Sequence, residues 1–359
     1  MNKLMIRSTL AAVAASVATP MVANAAWSST PLVKYVNGVE WRIRIDEDSH
    51  LASIGTNLTT SGGSDYSINY ATEPALSGKW VLPEDFTIDG VNYHVTTLGN
   101  RAFLHCNDVT SLTFPSGVGY LYNCVAYGRS KLKSLCFKGP DTVTSGTQNT
   151  VTLETADSTG QVFAKCSGLK TIFVGPNIKA ASNVRYTPRF PGSSNYTVFL
   201  PRSSDNMTWN AYDALGTNPT VVYYGPNEEM EFKMAKTTLT ATVRTASALT
   251  NVLNYATTFK DDFELNTRIS VTNAIDLTGV TITEQMVSGV TFDRLMFSVK
   301  TQAELNNIIN TFPSSTPISI DPSEITENLT IPASRKIHVL LSETDAVRLK
   351  VKGFMIIVK

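Results

Sequence analysis

The stretch Ala102-Phe-Leu-His-Cys-Asn-Asp-Val-Thr-Ser-Leu-Thr-Phe114 recurs at an offset of 60 as Val162-Phe-Ala-Lys-Cys-Ser-Gly-Leu-Lys-Thr-Ile-Phe-Val174. Apolar side chains and one cysteine return at the same positions in both copies. Leu132, Leu135 and Phe137 repeat the apolar positions Val109, Leu112 and Phe114 at an offset of 23. Repeats of this length with the spacing L-x-x-L-x-L are typical of solenoids. Because one unit cannot bury its apolar side chains alone, we predict stacked units that share a long sheet face.

These residues resemble the leucine-rich repeat of bacterial surface proteins of the BspA type. The family unit runs roughly IG-x-x-A-F-x-G-C-x-x-L-x-x-I-x-I-P, and the segments 98–115 and 162–174 are similar to it. Strand-like segments before the repeats extend the resemblance to about residues 36–224. The middle copy departs from the unit, with Ala126 in place of the aromatic residue and Arg129 in place of the cysteine. The resemblance implies a leucine-rich repeat solenoid that adheres to host matrix proteins or to other bacteria.

The segment 1–25 has the pattern of a secretory signal. Lys3 and Arg7 precede a stretch rich in Ala and Val, and Ala23-Asn-Ala25 supplies a cleavage site. We therefore expect an exported bacterial protein that is secreted, periplasmic or bound to the cell surface. No later apolar run reaches the roughly 18 residues of a spanning helix, so we expect no integral membrane segment after signal removal.

The overall charge is close to balanced. Without the segment 1–25 the chain has 28 basic and 30 acidic residues, a formal charge of −2. A nucleic-acid partner normally requires a strongly basic face, so we expect none. The partner that we expect is an extracellular protein or glycan.

The chain has four cysteines. Cys106 and Cys166 occupy equivalent repeat positions two coils apart, which is roughly 10 Å at the strand spacing of about 4.8 Å. That distance exceeds the reach of a disulfide, so we predict that both are buried free thiols. The state of Cys124 and Cys136 is left open. The spacings contain no C-x-x-C pair, which argues against a zinc site, and we expect no cofactor.

Shifts in pattern divide the remainder of the chain. We expect a β cap over residues 26–93 and repeats over residues 94–226, including an exposed loop at 141–159 and a capping helix at 207–215. Residues 227–359 form a separate β-rich module. Repeat strands are predicted at Ser111–Phe114, Ser134–Phe137, Thr171–Val174 and Thr197–Leu200.

The module contains a duplication of its own, since Leu239–Asn254 matches Leu295–Asn310 at an offset of 56. Each copy is predicted to contain a strand, an N-capping threonine (Thr245 or Thr301) and a short helix. Later strands are predicted in pairs at 269–271 and 318–320, and at 280–282 and 329–331. The fold class is therefore mainly β, and the module is either β-helix-like or a compact α+β unit.

Alternation along the repeat strands indicates which side chains face outward. If the apolar pattern residues point into the solenoid, the residues between them form an exposed ladder. Aromatic residues in such a ladder are suitable anchors for a partner. The candidate ligand-binding residues are Thr113, Thr171, Phe173, Thr197 and Phe199.

No catalytic motif stands out in the sequence. The acidic residues Asp261, Asp262 and Glu264, and then Asp321 and Glu324, are expected in equivalent loops, where carboxylates can hydrolyse glycosides or bind calcium. Solvated loops are the simpler interpretation. We expect a non-catalytic adhesion protein. The alternatives are a self-associating protein of the cell envelope and, more distantly, a polysaccharide-processing enzyme.

Overall fold

A computed structural model describes residues 25–58, 71–141, 151–155, 162–180, 195–202, 219–321, 323–327, 329–332, 335, 337–340 and 349–351. The predicted signal segment up to residue 24, the predicted capping helix and much of the predicted 141–159 loop lie outside these residues.

Short strands form two sheets in the amino-terminal part of the chain. In chain order they are β1 (Leu32–Val36), β2 (Val39–Asp46), β3 (Leu51–Ile54), β4 (Thr72–Glu73), β5 (Ser77–Val81), β6 (Asp85–Ile88), β7 (Val91–Leu98), β8 (Asp108–Phe114), β9 (Tyr120–Leu121), β10 (Ser134–Phe137), β11 (Val151–Thr155), β12 (Thr171–Val174), β13 (Ile178–Ala180), β14 (Thr197–Pro201) and β15 (Thr220–Tyr224). The back sheet has the order β1-β2-β3-β7-β9-β11-β13, with β4 beside β2 and β6 beside β7. The second sheet, here called the ladder, has the order β5-β8-β10-β12-β14-β15 and is parallel throughout.

Equivalent repeat positions are direct neighbours in the ladder. Leu112 pairs with Leu135, Leu135 with Ile172, and Ile172 with Val198. All four side chains are fully buried against the back sheet. The four predicted repeat strands are confirmed as β8, β10, β12 and β14, because the apolar period fixes which residues can share one face.

The core between the ladder and the back sheet contains the aromatic residues of the repeats. Phe103 and Phe163 are fully buried, as the repeat pattern predicts. The rings of Phe114 and Phe137 stack at 4.7 Å, and Phe163 lies 5.8 Å from Phe137. The aromatic positions of neighbouring coils therefore fill one continuous interior.

The carboxy-terminal module adds a third sheet. Its elements are β16 (Met230–Ala235), β17 (Thr238–Val243), α1 (Ala246–Phe263), β18 (Asn266–Val271), β19 (Ile275–Asp276), α2 (Glu284–Val287), β20 (Thr291–Ser298), α3 (Gln302–Thr311), β21 (Ile318–Asp321), β22 (Leu329–Ile331), β23 (Ile337–Val339) and β24 (Leu349–Val351). The module sheet has the order β16-β17-β18-β20-β21-β23, with β19 beside β20, and every pairing except β16 with β17 is parallel. Strands β22 and β24 form a separate parallel pair. The structure is thus mainly β, with several sheets.

Both predicted N-caps of the module are confirmed. The Thr245 side chain accepts a hydrogen bond from the amide of Ala248, and that of Thr301 accepts one from Glu304. The two helices differ in length, since α1 has 18 residues and α3 has 10. The second copy ends just before Pro313, because a residue that precedes proline disfavours the helical conformation. The first copy has no proline there and continues.

Two local predictions are wrong. Strand β11 lies within the predicted 141–159 loop and pairs with β13. Residues 280–282 form no strand, because β19 already occupies the place beside β20 and the chain then turns toward α2. Strand β5, which lies in the segment predicted as the amino-terminal cap, pairs with β8 and extends the ladder.

Candidate functional site

The side chains predicted to bind a ligand lie on the outer side of the ladder, but solvent does not reach most of them. Phe173 and Phe199 are 0% exposed, Thr113 is 1% exposed and Thr171 is 4% exposed, while Thr197 is half-buried. The expectation that they form an open face is therefore wrong. Alternation indicates which side of the strand they occupy, but it does not indicate that the module covers that side. In this arrangement the two phenylalanines cannot contact a partner.

An aromatic cluster joins the ladder to the module. The Phe173 ring lies 5.4 Å from that of Phe259 on α1 and 5.7 Å from that of Phe232 on β16. The Phe199 ring lies 5.0 Å from the Tyr255 ring in an edge-to-face arrangement. These separations are within the range of about 4.5 to 7 Å that aromatic pairs prefer. The rings form one buried core with the helices of the module, so the ladder is covered on both faces.

A row of polar contacts runs beside the aromatic cluster. The Ser134 hydroxyl donates to Asp262 Oδ2 at 2.6 Å, and Lys79 Nζ lies 3.0 Å from Asp262 Oδ1. Near the middle of α1, the Tyr255 hydroxyl donates to Thr197 Oγ1 at 2.7 Å. These contacts hold the carboxyl-terminal half of α1 across the ladder strands.

The first acidic cluster has a structural position. Asp261 and Asp262 belong to the last turns of α1, and Glu264 is its C-cap residue with φ at 56°. The predicted loop is wrong for Asp261 and Asp262, because the apolar spacing of α1 continues through Phe259 and Phe263. Asp261 and Glu264 are exposed to solvent, as expected. The carboxylate of Asp262 fixes the module on the ladder.

The second acidic cluster lies at the carboxyl ends of neighbouring module strands. Hydrogen bonds from Thr278 and Lys300 lower the pKa of Asp276 to about 2. The Lys300 ammonium lies 2.9 Å from Asp276 and 3.3 Å from Glu324, while Asp321 accepts a backbone hydrogen bond from the loop that follows it. Lys300 therefore links the Asp276 and Glu324 carboxylates.

All four cysteines are described, and none of them forms a disulfide. Cys106 and Cys166 are buried thiols, as predicted. Cys136 is a buried thiol as well, and Cys124 is a partly exposed one. Burial raises the pKa of Cys166 to about 11 and also raises the pKa of Cys106. The Cys136 thiol lies beneath the module, and its burial raises its pKa further. High pKa values disfavour the thiolate, which is the nucleophilic form.

The outer face of the module sheet is a feature that the sequence analysis missed. Strands β17, β18, β20 and β21 follow one another across the sheet in chain order. Because crossovers between parallel strands are right-handed, α1 and α3 lie on the same face of the sheet. Apolar side chains of both helices join the buried core on that side. On β17, β18 and β20 the side chains of the opposite side are half-buried or exposed, and they include Thr240, Thr242, Arg268, Ser270 and Arg294. On the same side, His338 of β23 is exposed and Ser319 of β21 is buried. The period-two alternation of β17 and β18 was the available signal.

Within the described part of the chain, no helix is long and apolar enough to cross a membrane. No three His, Cys, Asp or Glu side chains of these residues form a group that could hold a metal ion.

No protein-family model matches the chain, and no curated protein matches it. Among solved structures, the chain is similar to a leucine-rich cell surface protein from Faecalibacterium prausnitzii A2-165, at 11% identity and a TM-score of 0.24, over 90% of this chain and 96% of that one. It is also similar to the pneumococcal vaccine antigen PcpA, at 13% identity and a TM-score of 0.21, over 87% of this chain and 79% of that one. Scores at this level do not establish a shared fold.

Proposed function

We propose that this chain is a secreted or cell-surface adhesion protein without catalytic activity. In this proposal, residues 36–224 form a leucine-rich repeat solenoid, and a macromolecular partner binds the outer face of the module sheet. The buried aromatic side chains on the outer side of the ladder then stabilise the contact with the module.

The observation that carries the proposal is that a largely parallel sheet has one open face. Parallel sheets are ordinarily covered on both faces, and the ladder follows this rule. In the described part of the chain, the module sheet has its helices on the inner face only, and the outer side chains of β17, β18 and β20 remain accessible. Repeat proteins commonly bind partners on such extended sheet surfaces.

The open face is polar, and one of its arginines, Arg268, lies 3.0 Å from Asp293 Oδ1 in an exposed ion pair. Thr240 pairs with Arg268, and Thr242 pairs with Ser270, which pairs with Arg294. Arginine is enriched among the residues that dominate protein interfaces. The two arginines at the centre of the face are therefore the expected anchors for a protein partner.

Surface plasmon resonance against immobilised collagen, laminin and fibronectin tests the proposal. We expect saturable binding to at least one of these probes. Because anchor residues contribute most of the binding free energy, the double variant Arg268→Ala with Arg294→Ala should bind with an affinity that is lower by about tenfold or more. The fold should persist, because exposed substitutions change stability by about 0.5 kcal/mol or less. The matched control, Lys131→Ala with Lys165→Ala, removes two exposed cations from the repeats and should bind normally. Normal binding by the arginine variant would exclude the module face.

Self-association is a second candidate function, and it is favoured by the amino-terminal edge strand β1. The turn Asn37-Gly38 has positive φ values of 52° and 77°, as in a two-residue hairpin of type I′. In such a hairpin Val36 and Val39 exchange hydrogen bonds, so alternate residues direct their backbone groups away from β2. Val33 and Tyr35 are those residues, and their side chains are 48% and 74% exposed.

A second copy of the chain fits this edge by antiparallel pairing. Val33 would then lie opposite Tyr35 of the other copy, and aromatic residues opposite β-branched residues stabilise strand pairs. Light scattering after size exclusion should show concentration-dependent dimers that Tyr35→Lys abolishes. Val91→Lys, at another exposed apolar position, should leave them unchanged. A monomer at all concentrations would exclude this second function.

A further inference from the structure

The repeats carry a positive charge that the balance of the whole chain conceals. Residues 94–226 contain eleven Lys and Arg but only six Asp and Glu, a formal charge of +5, whereas the whole chain has a formal charge of 0. Residues 26–93 have the opposite bias, with four basic and nine acidic residues. Charge segregated in this way creates a local field that attracts ions of the opposite sign.

Lysines of neighbouring coils lie side by side where the chain enters the ladder. The amide of Lys170 donates to the carbonyl oxygen of Lys133 at 2.8 Å, and the amide of Lys133 donates to that of Thr110 at the same distance. Lys133 and Lys170 therefore occupy the same position on adjacent coils, and both are exposed. Lys131 lies two positions before Lys133 and is also exposed.

Two more cations lie in the turns that lead into the same strands. The amide of Gly128 donates to the carbonyl oxygen of Ala164 at 2.9 Å, so the turns that carry Arg129 and Lys165 are stacked. Lys165 is exposed, with Nζ 5.3 Å from the centre of the Tyr127 ring. We call the five side chains Arg129, Lys131, Lys133, Lys165 and Lys170 the basic edge.

Little negative charge offsets the basic edge. Lys131 Nζ lies 2.5 Å from Asp108 Oδ1, in an exposed ion pair. The other four cations make no ion pair with any residue that the structure describes. Arg129 donates instead to neutral oxygens, those of the Asn107 side chain and the Tyr127 carbonyl.

We infer that the basic edge is a binding site for a linear acidic polysaccharide. Four of the five cations are lysines, which attract anions as point charges and lack the planar bidentate geometry by which arginine most often reads base edges. Single-stranded nucleic acids also require aromatic platforms for their bases. Of the tyrosines beside the basic edge, Tyr127 already lies under Lys165, and Tyr196 is buried. The site is on the repeats and does not depend on binding at the module face.

Fluorescence anisotropy with labelled heparin and labelled polygalacturonate tests the inference on the full chain. Heparin carries sulfates and carboxylates, whereas polygalacturonate carries carboxylates alone, so the pair identifies the anion that is preferred. We expect the double variant Lys133→Gln with Lys170→Gln to bind the preferred polymer about tenfold more weakly, with a salt dependence that is shallower by about 1.5 in log–log slope. The control Lys236→Gln with Lys260→Gln removes the same charge from exposed positions of the module away from its outer sheet face and should bind within twofold of the wild type.

Further outcomes separate a site from general attraction. Asp108→Asn releases Lys131 and should tighten binding severalfold, and weaker binding would contradict the inference. Equal losses in the two lysine double variants, or no loss in Lys133→Gln with Lys170→Gln, would overturn it. Equal binding of uncharged dextran would overturn it as well. Tighter binding of a DNA duplex than of either acidic polysaccharide would assign the edge to nucleic acid instead.

Discussion

Replacing Phe173 with alanine tests the contact between the ladder and the module. The ring is fully buried, lying 5.4 Å from Phe259 and 5.7 Å from Phe232, so its removal leaves a cavity between the two units. Truncation of a buried phenylalanine typically costs about 3 to 5 kcal/mol. An open ladder face would instead predict a change of about 0.5 kcal/mol or less. The losses of unfolding free energy expected for a buried and for an open face therefore do not overlap.

Equilibrium urea denaturation, followed by circular dichroism and tryptophan fluorescence, measures the difference. We expect Phe173→Ala to lower the free energy of unfolding by about 3 kcal/mol or more, a large share of the roughly 5 to 15 kcal/mol that is typical of folded proteins. Lys170→Ala, an exposed residue that directly precedes β12, is the control and should unfold almost as the wild type does. A Phe173→Ala protein as stable as this control would refute the buried interface.

Three other changes probe separate parts of the structure. Phe163→Ala should cost about 3 to 5 kcal/mol in the same assay, because this ring fills the core between the ladder and the back sheet. Asp262→Ala should cost about 1 to 3 kcal/mol, because it leaves the Ser134 hydroxyl without its acceptor. The folded pKa of Asp276 is about 2 and the unfolded value is about 3.9, so its stabilising contribution is complete above about pH 4 and is lost as the pH falls through 2. Asp276→Asn should therefore lose less stability than the wild type between pH 5 and pH 2, as urea midpoints at the two pH values would show.

The sequence predicted the repeat register well, because burial on one face leaves little choice of register. A slip of one residue would turn Leu112, Leu135 and Ile172 out of the core, and the period of the repeat excludes that slip. The N-caps Thr245 and Thr301 were equally predictable from the sequence, since an N-cap acts on backbone groups only three residues away. Features that depend on local geometry or on a strict period were thus predictable.

The covering of the ladder was not predictable in the same way. Alternation places Phe173 and Cys136 on the outer side of their strands, but their burial depends on α1, which comes much later in the chain. The length of α1 was visible in part, because Ala256, Phe259 and Phe263 continue the helical spacing of the earlier apolar residues. No local pattern indicates which surface a helix will contact. The candidate site was therefore predicted on a face that the module covers.

The central claim is that the module covers the outer face of the ladder, and native thiol labelling tests it most directly. Cys136 is fully buried in the shared core, whereas Cys124 is partly exposed, so each molecule contains its own reference thiol. Burial also raises the pKa of Cys136, which further slows its reaction with iodoacetamide. Mass spectrometry after a short pulse at neutral pH should find Cys124 alkylated and Cys136 protected until the protein is unfolded in urea. Alkylation of Cys136 as fast as that of Cys124 in the folded protein would contradict the account.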